Sequence, residues 1–230
     1  MLTQTRIQEI GTERLFGSER NVPTMTSQNC LFGCIELSGA SMPFERNAEI
    51  FGEGEDADYV YKVLKGAVRT YKVLNDGRRQ INGFYLPGDM FGLEPGEEHG
   101  SSAEAVTESV ILVVRRSVLF RSAERNSDVA RHLWSLTASE LRRSQNHALL
   151  LIKSAQERLA AFLLEMGERL AAKSAFDLPM SRQDIADYLG LTIETVSRTL
   201  TQLADDATIQ LKASRRIVLC NRSALSALNS

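Results

Sequence analysis

The 230-residue chain has little of what several protein classes require. Its three cysteines, Cys30, Cys34 and Cys220, are two neighbours and one remote residue, which excludes the disulfide framework of a small secreted protein. Its three histidines, His99, His132 and His147, lack metal-ligand spacing. The longest apolar runs, such as Val110–Val114 and Ala148–Ile152, are far too short to span a bilayer, so no membrane partner is expected. Arg6, Glu9, Glu13 and Arg14 break up the amino end, so no signal peptide is expected and the protein reads as cytoplasmic. Excess charge of one sign is missing too. A net charge of −2 argues against a broadly basic coat for nucleic acid. Over Lys153–Ser230, however, ten Lys and Arg stand against nine Asp and Glu, leaving +1, while the preceding residues carry −3. A chain with this charge could bind DNA only through a few placed contacts and as a dimer.

What is present organises itself around Met180–Leu203. Ser181 stands where an N-cap belongs, with Asp184 three residues on as its capping-box partner. Ile185, Ala186 and Leu189 form an apolar stripe, Gly190 supplies a turn, and Thr192 is a second N-cap. Val196, Leu200 and Leu203 then lie on the inner face of a second helix. This leaves Glu194, Thr195, Ser197 and Arg198 on or near its outer face, in the half of a recognition helix that reaches base edges. Arg pairs bidentately with guanine and Glu accepts from the cytosine amino group. Thr208–Leu211 and Arg216–Leu219 read as two strands about a turn, making a winged helix. Arg182, Lys212, Arg215 and Arg216 are candidate phosphate contacts, with Thr192 and Thr195 flanking the reading face.

Upstream, Glu49–Val114 reads as short strands with Gly, Pro and Asn-Asp-Gly at the corners, the pattern of a jelly-roll barrel. Glu53, Glu55, Asp56 and Asp58 read as a solvated acidic turn, and Glu97, Glu98 and His99 as a surface loop without a catalytic partner. From Ser127 the period changes to helical. Val129, Leu133, Leu136, Glu140, Ser144, His147 and Leu151 recur at steps of three and four, and are expected to form a dimer seam. A hinge is expected near Lys153–Ser154, followed by an amphipathic helix over Gln156–Ala172. The expected organisation is a mobile segment over 1–28, a barrel over 29–125, a dimerisation helix over 126–152 and a winged-helix domain over 153–230. The fold class is α+β.

The run Glu194-Thr195-Val196-Ser197-Arg198 resembles the recognition helix of the FNR/CRP superfamily of transcription regulators, and its FNR and FixK branches in particular. Gly52-Glu53, Gly66, Asp76-Gly77, Pro87-Gly88-Asp89 and Gly92 resemble the corners of its cyclic-nucleotide-binding domain. The resemblance implies a homodimer that binds a TTGA–spacer–TCAA palindrome in double-stranded DNA, contacts RNA polymerase and activates low-oxygen, respiratory or nitrogen-fixation genes. Ile193 stands where the cyclic-AMP receptor has a second arginine, so a guanine-richer half-site is not expected. Two departures bear on effectors. Gly100-Ser101-Ser102-Ala103 stands where nucleotide-binding members carry an arginine for the cyclic phosphate, and no arginine occurs from Leu86 to Val114. Cys30 and Cys34 alone are too few for the iron–sulfur cluster of FNR. No cofactor, metal or catalytic set is therefore expected, and the protein is expected to act without an effector. Two rival readings are a regulator whose barrel binds another small molecule, and a regulatory subunit whose winged helix binds protein.

Overall fold

The computed structural model describes residues 26–32, 35–172 and 174–228. Among the described residues nine strands come first: β1 (Thr26–Phe32), β2 (Ile35–Phe44), β3 (Glu49–Phe51), β4 (Tyr59–Lys65), β5 (Val68–Val73), β6 (Arg79–Tyr85), β7 (Met90–Phe91), β8 (Ser102–Ala105) and β9 (Ser109–Arg115). They form a five-stranded sheet ordered β1-β2-β9-β4-β7 and a four-stranded sheet ordered β3-β8-β5-β6, with antiparallel pairings throughout. The expected mobile segment lies outside the described residues except for Thr26–Gln28, which are instead the start of β1.

Turn chemistry sets the corners. At Gly66 φ is +89°, and a side chain there would collide with Ser109 Oγ at 2.3 Å and Glu108 O at 2.5 Å, so only glycine closes β4 onto β5. Asp89 accepts from the Leu86 N–H at 2.8 Å and so closes the Pro87-Gly88-Asp89 turn. Strand β9 explains why its sequence is continuously apolar rather than alternating. Ile111 and Val113 face the other sheet, while Leu112 and Val114 face helices laid over the outside. Both faces are buried, so both phases are apolar.

Those covering helices are α1 (Arg116–Arg125) and α2 (Ser127–Leu150). Asn126 ends one and caps the other, accepting from the Asp128 N–H at 2.9 Å. Here the structure corrects the expected dimer seam. Val129 is buried against Val60, Leu112 and Val114 of the same chain, and Leu133 and Leu136 pack on that cluster. Glu140 accepts from the Tyr85 hydroxyl at 3.0 Å, and His147 stacks on Tyr188 with ring centroids 4.1 Å apart. Leu151 lies beside Gly190 and is partly buried; Ser144 is exposed and belongs to neither set. The stripe is thus the face by which α2 grips its own protomer. A second stripe, about 100° or more round the helix, carries Trp134, Ala138, Leu141, Gln145, Ala148 and, just past the helix, Ile152, spaced alternately by four and three. Trp134 is 77% and Ile152 83% exposed, so this stripe with heptad-like spacing faces outward.

Four residues, Leu151–Ser154, separate α2 from α3 (Ala155–Arg169), and the last of them opens α3 with a full capping box through Glu157. Then follow β10 (Ala175–Asp177), α4 (Arg182–Leu189), α5 (Ile193–Asp205), β11 (Ile209–Leu211), β12 (Arg216–Leu219) and α6 (Arg222–Leu228). The wing is a three-stranded sheet ordered β10-β12-β11 rather than a bare hairpin. Its third strand is only three residues long, and its single buried residue, Phe176, gives no period to read. Ala67, Ile81, Phe84, Leu86 and Val106 of the barrel join the core of this C-terminal domain, so the two halves share one apolar cluster.

Candidate nucleic-acid interface

Two helices at a tight turn build the candidate site. Ser181 caps α4 through Asp184, whose Oδ2 accepts both the Ser181 N–H at 2.9 Å and its hydroxyl at 2.7 Å. Gly190 ends α4 in the left-handed conformation, φ +62°. Arg158 of α3 donates to the freed carbonyl oxygens of Leu189 at 2.8 Å and Gly190 at 3.4 Å, a cation at a helix C-terminus. Thr192 then caps α5, accepting from the Thr195 N–H at 3.2 Å. Val196, Leu200 and Leu203 are fully buried against α4, with Ala186 small enough to allow the close crossing. Thr199 is buried too, a position that apolar periodicity alone passes over.

The outer face of α5 carries Glu194 and Arg198 one turn apart, both exposed. The Glu194 carboxyl is held below its usual range by its own backbone N–H and by Thr192, so it is an acceptor at neutral pH. Arg198 makes no hydrogen bond or ion pair among the described residues, so its fork is available. Ser197 is half-buried and accepts from Arg182 Nη1 at 3.2 Å, which ties the start of α4 to the middle of α5. Thr195 is half-buried behind its capping bond.

The basic residues around this face are not equivalent. Lys212 is exposed at the wing tip. Arg216 is exposed but leans on Asp177 at 3.3 Å. Arg215 is half-buried and donates to the Pro179 carbonyl at 2.9 Å, so it fastens the wing to the start of the helix-turn-helix. A phosphate contact from Arg215 has to share that guanidinium with a structural bond.

The comparisons with known proteins bear on this geometry directly. Residues 157–228 match the model of the Crp-like helix-turn-helix domain, and residues 41–126 that of the cyclic nucleotide-binding domain. The nitrogen fixation regulation protein FixK of Azorhizobium caulinodans is 52% identical over 202 residues, covering 85% of this chain and 82% of its own. The FixK protein of Rhizobium meliloti is 44% identical, covering 85% of this chain and 91% of its own. The chain belongs to the CRP/FNR family, as a FixK-type transcription regulator. The solved structure of FixK2 from Bradyrhizobium japonicum superposes with a TM-score of 0.82 at 51% identity, over 84% of this chain and 98% of that one. This is a family of regulators, not of enzymes.

In the stretch Gly100-Ser101-Ser102-Ala103, Ser102 Oγ accepts the Glu53 N–H at 3.0 Å. Arg69, a buried arginine on β5, is already taken by Glu104 at 2.8 Å and Asp184 at 2.9 Å. His99 corrects the expected surface loop. It is 2% exposed and stacked on Phe51 at 3.6 Å, within an aromatic group that includes Tyr61 and Phe91. Its ring faces are apolar enough to fill a core, and Glu94, near its Nδ1, has its carboxyl held below the usual range chiefly by that imidazole. Of the cysteines, Cys220 is exposed; Cys34 and the side chain of Cys30 lie outside the described residues. No described helix is long and apolar enough to cross a membrane.

Proposed function

We propose that the protein acts in the cytoplasm as a homodimer on a DNA palindrome of the form TTGA–spacer–TCAA. There it activates low-oxygen, respiratory or nitrogen-fixation genes through contact with RNA polymerase, without cyclic nucleotide or iron–sulfur cluster. The observation that carries this reading is the pairing of Glu194 and Arg198 on one exposed turn of α5, with Ser197 between them. A single G·C pair in each half-site meets both: guanine by the Arg198 fork, cytosine by the Glu194 carboxylate. The phosphates fall to Lys212, Arg216 and Arg182 at the rim, with Arg215, Thr192 and Thr195 flanking. The relatives named for nitrogen fixation support the regulon, and the outward seam from Trp134 to Ile152 supports the dimer.

One recognition helix reads too few base pairs to single out a site in a genome. Two helices about a dimer axis read half-sites about 34 Å apart, one turn of the duplex. Inserting five base pairs into the spacer rotates one half-site to the far side. Footprinting of the purified protein without added ligand is then expected to give protection on the parent palindrome and only half-site binding after the insertion. Transcription with purified polymerase is expected to stop. Undiminished binding to the lengthened site would refute the two-fold reading.

A further inference from the structure

We propose that Arg69 and Arg79 of the barrel are positioning residues for DNA recognition, because they clamp the first helix of the helix-turn-helix at a set angle to the dimer helix. The clamp is built on one carboxylate. Asp184 Oδ1 accepts from Arg69 Nη1 at 2.9 Å and Arg79 Nη2 at 2.7 Å, while its Oδ2 completes the cap of α4. Arg79 also reaches Asp187 Oδ2 through Nε at 2.8 Å, and Gln80 donates to the Tyr188 carbonyl at 3.3 Å. Glu104 on β8 holds Arg69 from the other side at 2.8 Å. The side chains of Arg69 and Asp184 are only 7% and 5% exposed. Contacts at three residues within little more than one turn, Asp184, Asp187 and Tyr188, thus fix α4, and through the Gly190 turn α5, to the four-stranded sheet.

Geometry makes this more than domain adhesion. The halves are linked covalently only at the break between α2 and α3, around Leu151–Ser154, and a single link leaves a pivot. The shared apolar cluster adds attraction there, but hydrophobic contact is non-directional. Forked guanidinium–carboxylate bonds have a definite direction, so they set the angle. Their net effect on stability is small, because two desolvated charges offset their own attraction. Arg69 even leaves its Nε without a partner, which is a cost to stability. What the cluster supplies is a fixed distance from the α2 seam to Glu194 and Arg198, and hence a fixed spacing of half-sites.

The inference rests on the DNA-binding reading above, and the test separates the two. Arg69→Met with Asp184→Asn removes the central pair together, so that Glu104, its side chain 14% exposed, is the one carboxylate left without its partner, and asparagine keeps an oxygen for the α4 cap. Anisotropy titrations use the palindrome with spacers from two base pairs shorter to two longer than optimal. For the unaltered protein each base pair turns a half-site by about 35°, so affinity is expected to fall roughly tenfold per step. For the double variant affinity at the best spacer is expected to change little, and the profile to flatten to about threefold across the series. An unchanged steep profile overturns the proposal. A DNA-free measurement stands beside it: energy transfer from Trp134, the one tryptophan, to an acceptor on Cys220, with Cys30→Ser and Cys34→Ser. The distance distribution is expected to broaden in the double variant at a similar melting temperature; an equally narrow one overturns the clamp. If it broadens while even the unaltered protein ignores the palindrome, the clamp stands and the DNA reading fails.

Discussion

Arg198 and Glu194 are the residues to which the proposed function gives the reading of bases. Each is exposed, on a helix whose first turn is capped by Thr192 and whose inner face is buried. Arg198→Ala is expected to cost about 1–3 kcal/mol at the specific site and to relax discrimination at one base pair. Competition titrations against single-base variants check this, and unchanged affinity would remove α5 from the reading role. Asp184 works at the same scale in the opposite way. It is read from sequence as a capping residue, which it is, but its second oxygen serves the barrel. No local pattern announces that, because Arg69 and Arg79 lie 115 and 105 residues away.

Among the elements, α2 was legible as a helix and misleading as a surface. Steps of three and four mark an apolar face without saying what covers it. The aliphatic stripe from Val129 packs on its own barrel, and the sparser stripe about 100° or more round the helix is exposed, where the proposed dimer places its partner. Leu141→Glu is therefore expected to shift the protein to monomer with its fold intact, whereas Leu133→Glu is expected to damage the barrel cover. Sedimentation separates the two outcomes. Trp134 offers a second readout: its emission should move to the red as the unaltered protein dissociates on dilution, since a dimer covers it. A spectrum insensitive to dilution and to Leu141→Glu would place the seam elsewhere.

For the whole molecule, the joint between barrel and winged helix is expected to be sensitive to acid. Burial alone would push the Asp184 carboxyl up, but the Ser181 backbone and hydroxyl, with Arg69 and Arg79, outweigh it and hold it below the usual range. Glu104 and Asp187 face the same two arginines from β8 and α4. A carboxyl that binds its proton less readily when folded lends its stability above about pH 4, the free aspartate range. That stability is lost as pH falls through the lower folded value. Small-angle scattering from about pH 5 to about pH 2 is expected to register the domains parting before the barrel loses its strand signal. A radius that stays constant until the barrel itself melts would contradict this.

By itself the sequence determined the helix-turn-helix, the strand-and-corner pattern of the barrel and the break between α2 and α3. Caps, turns and periods act over a few residues, so Ser181, Gly190, Thr192, Gly66 and Ser154 carry their meaning locally. Glu194, Ser197 and Arg198 could be named for the same reason: their face follows from helical spacing alone. Only the tertiary structure decided which stripe of α2 looks inward, that His99 fills a core, that Arg215 is already bonded, and that Asp184 joins two domains. Each of those depends on a partner brought close by packing from far along the chain, and the order of residues on one element holds no record of it.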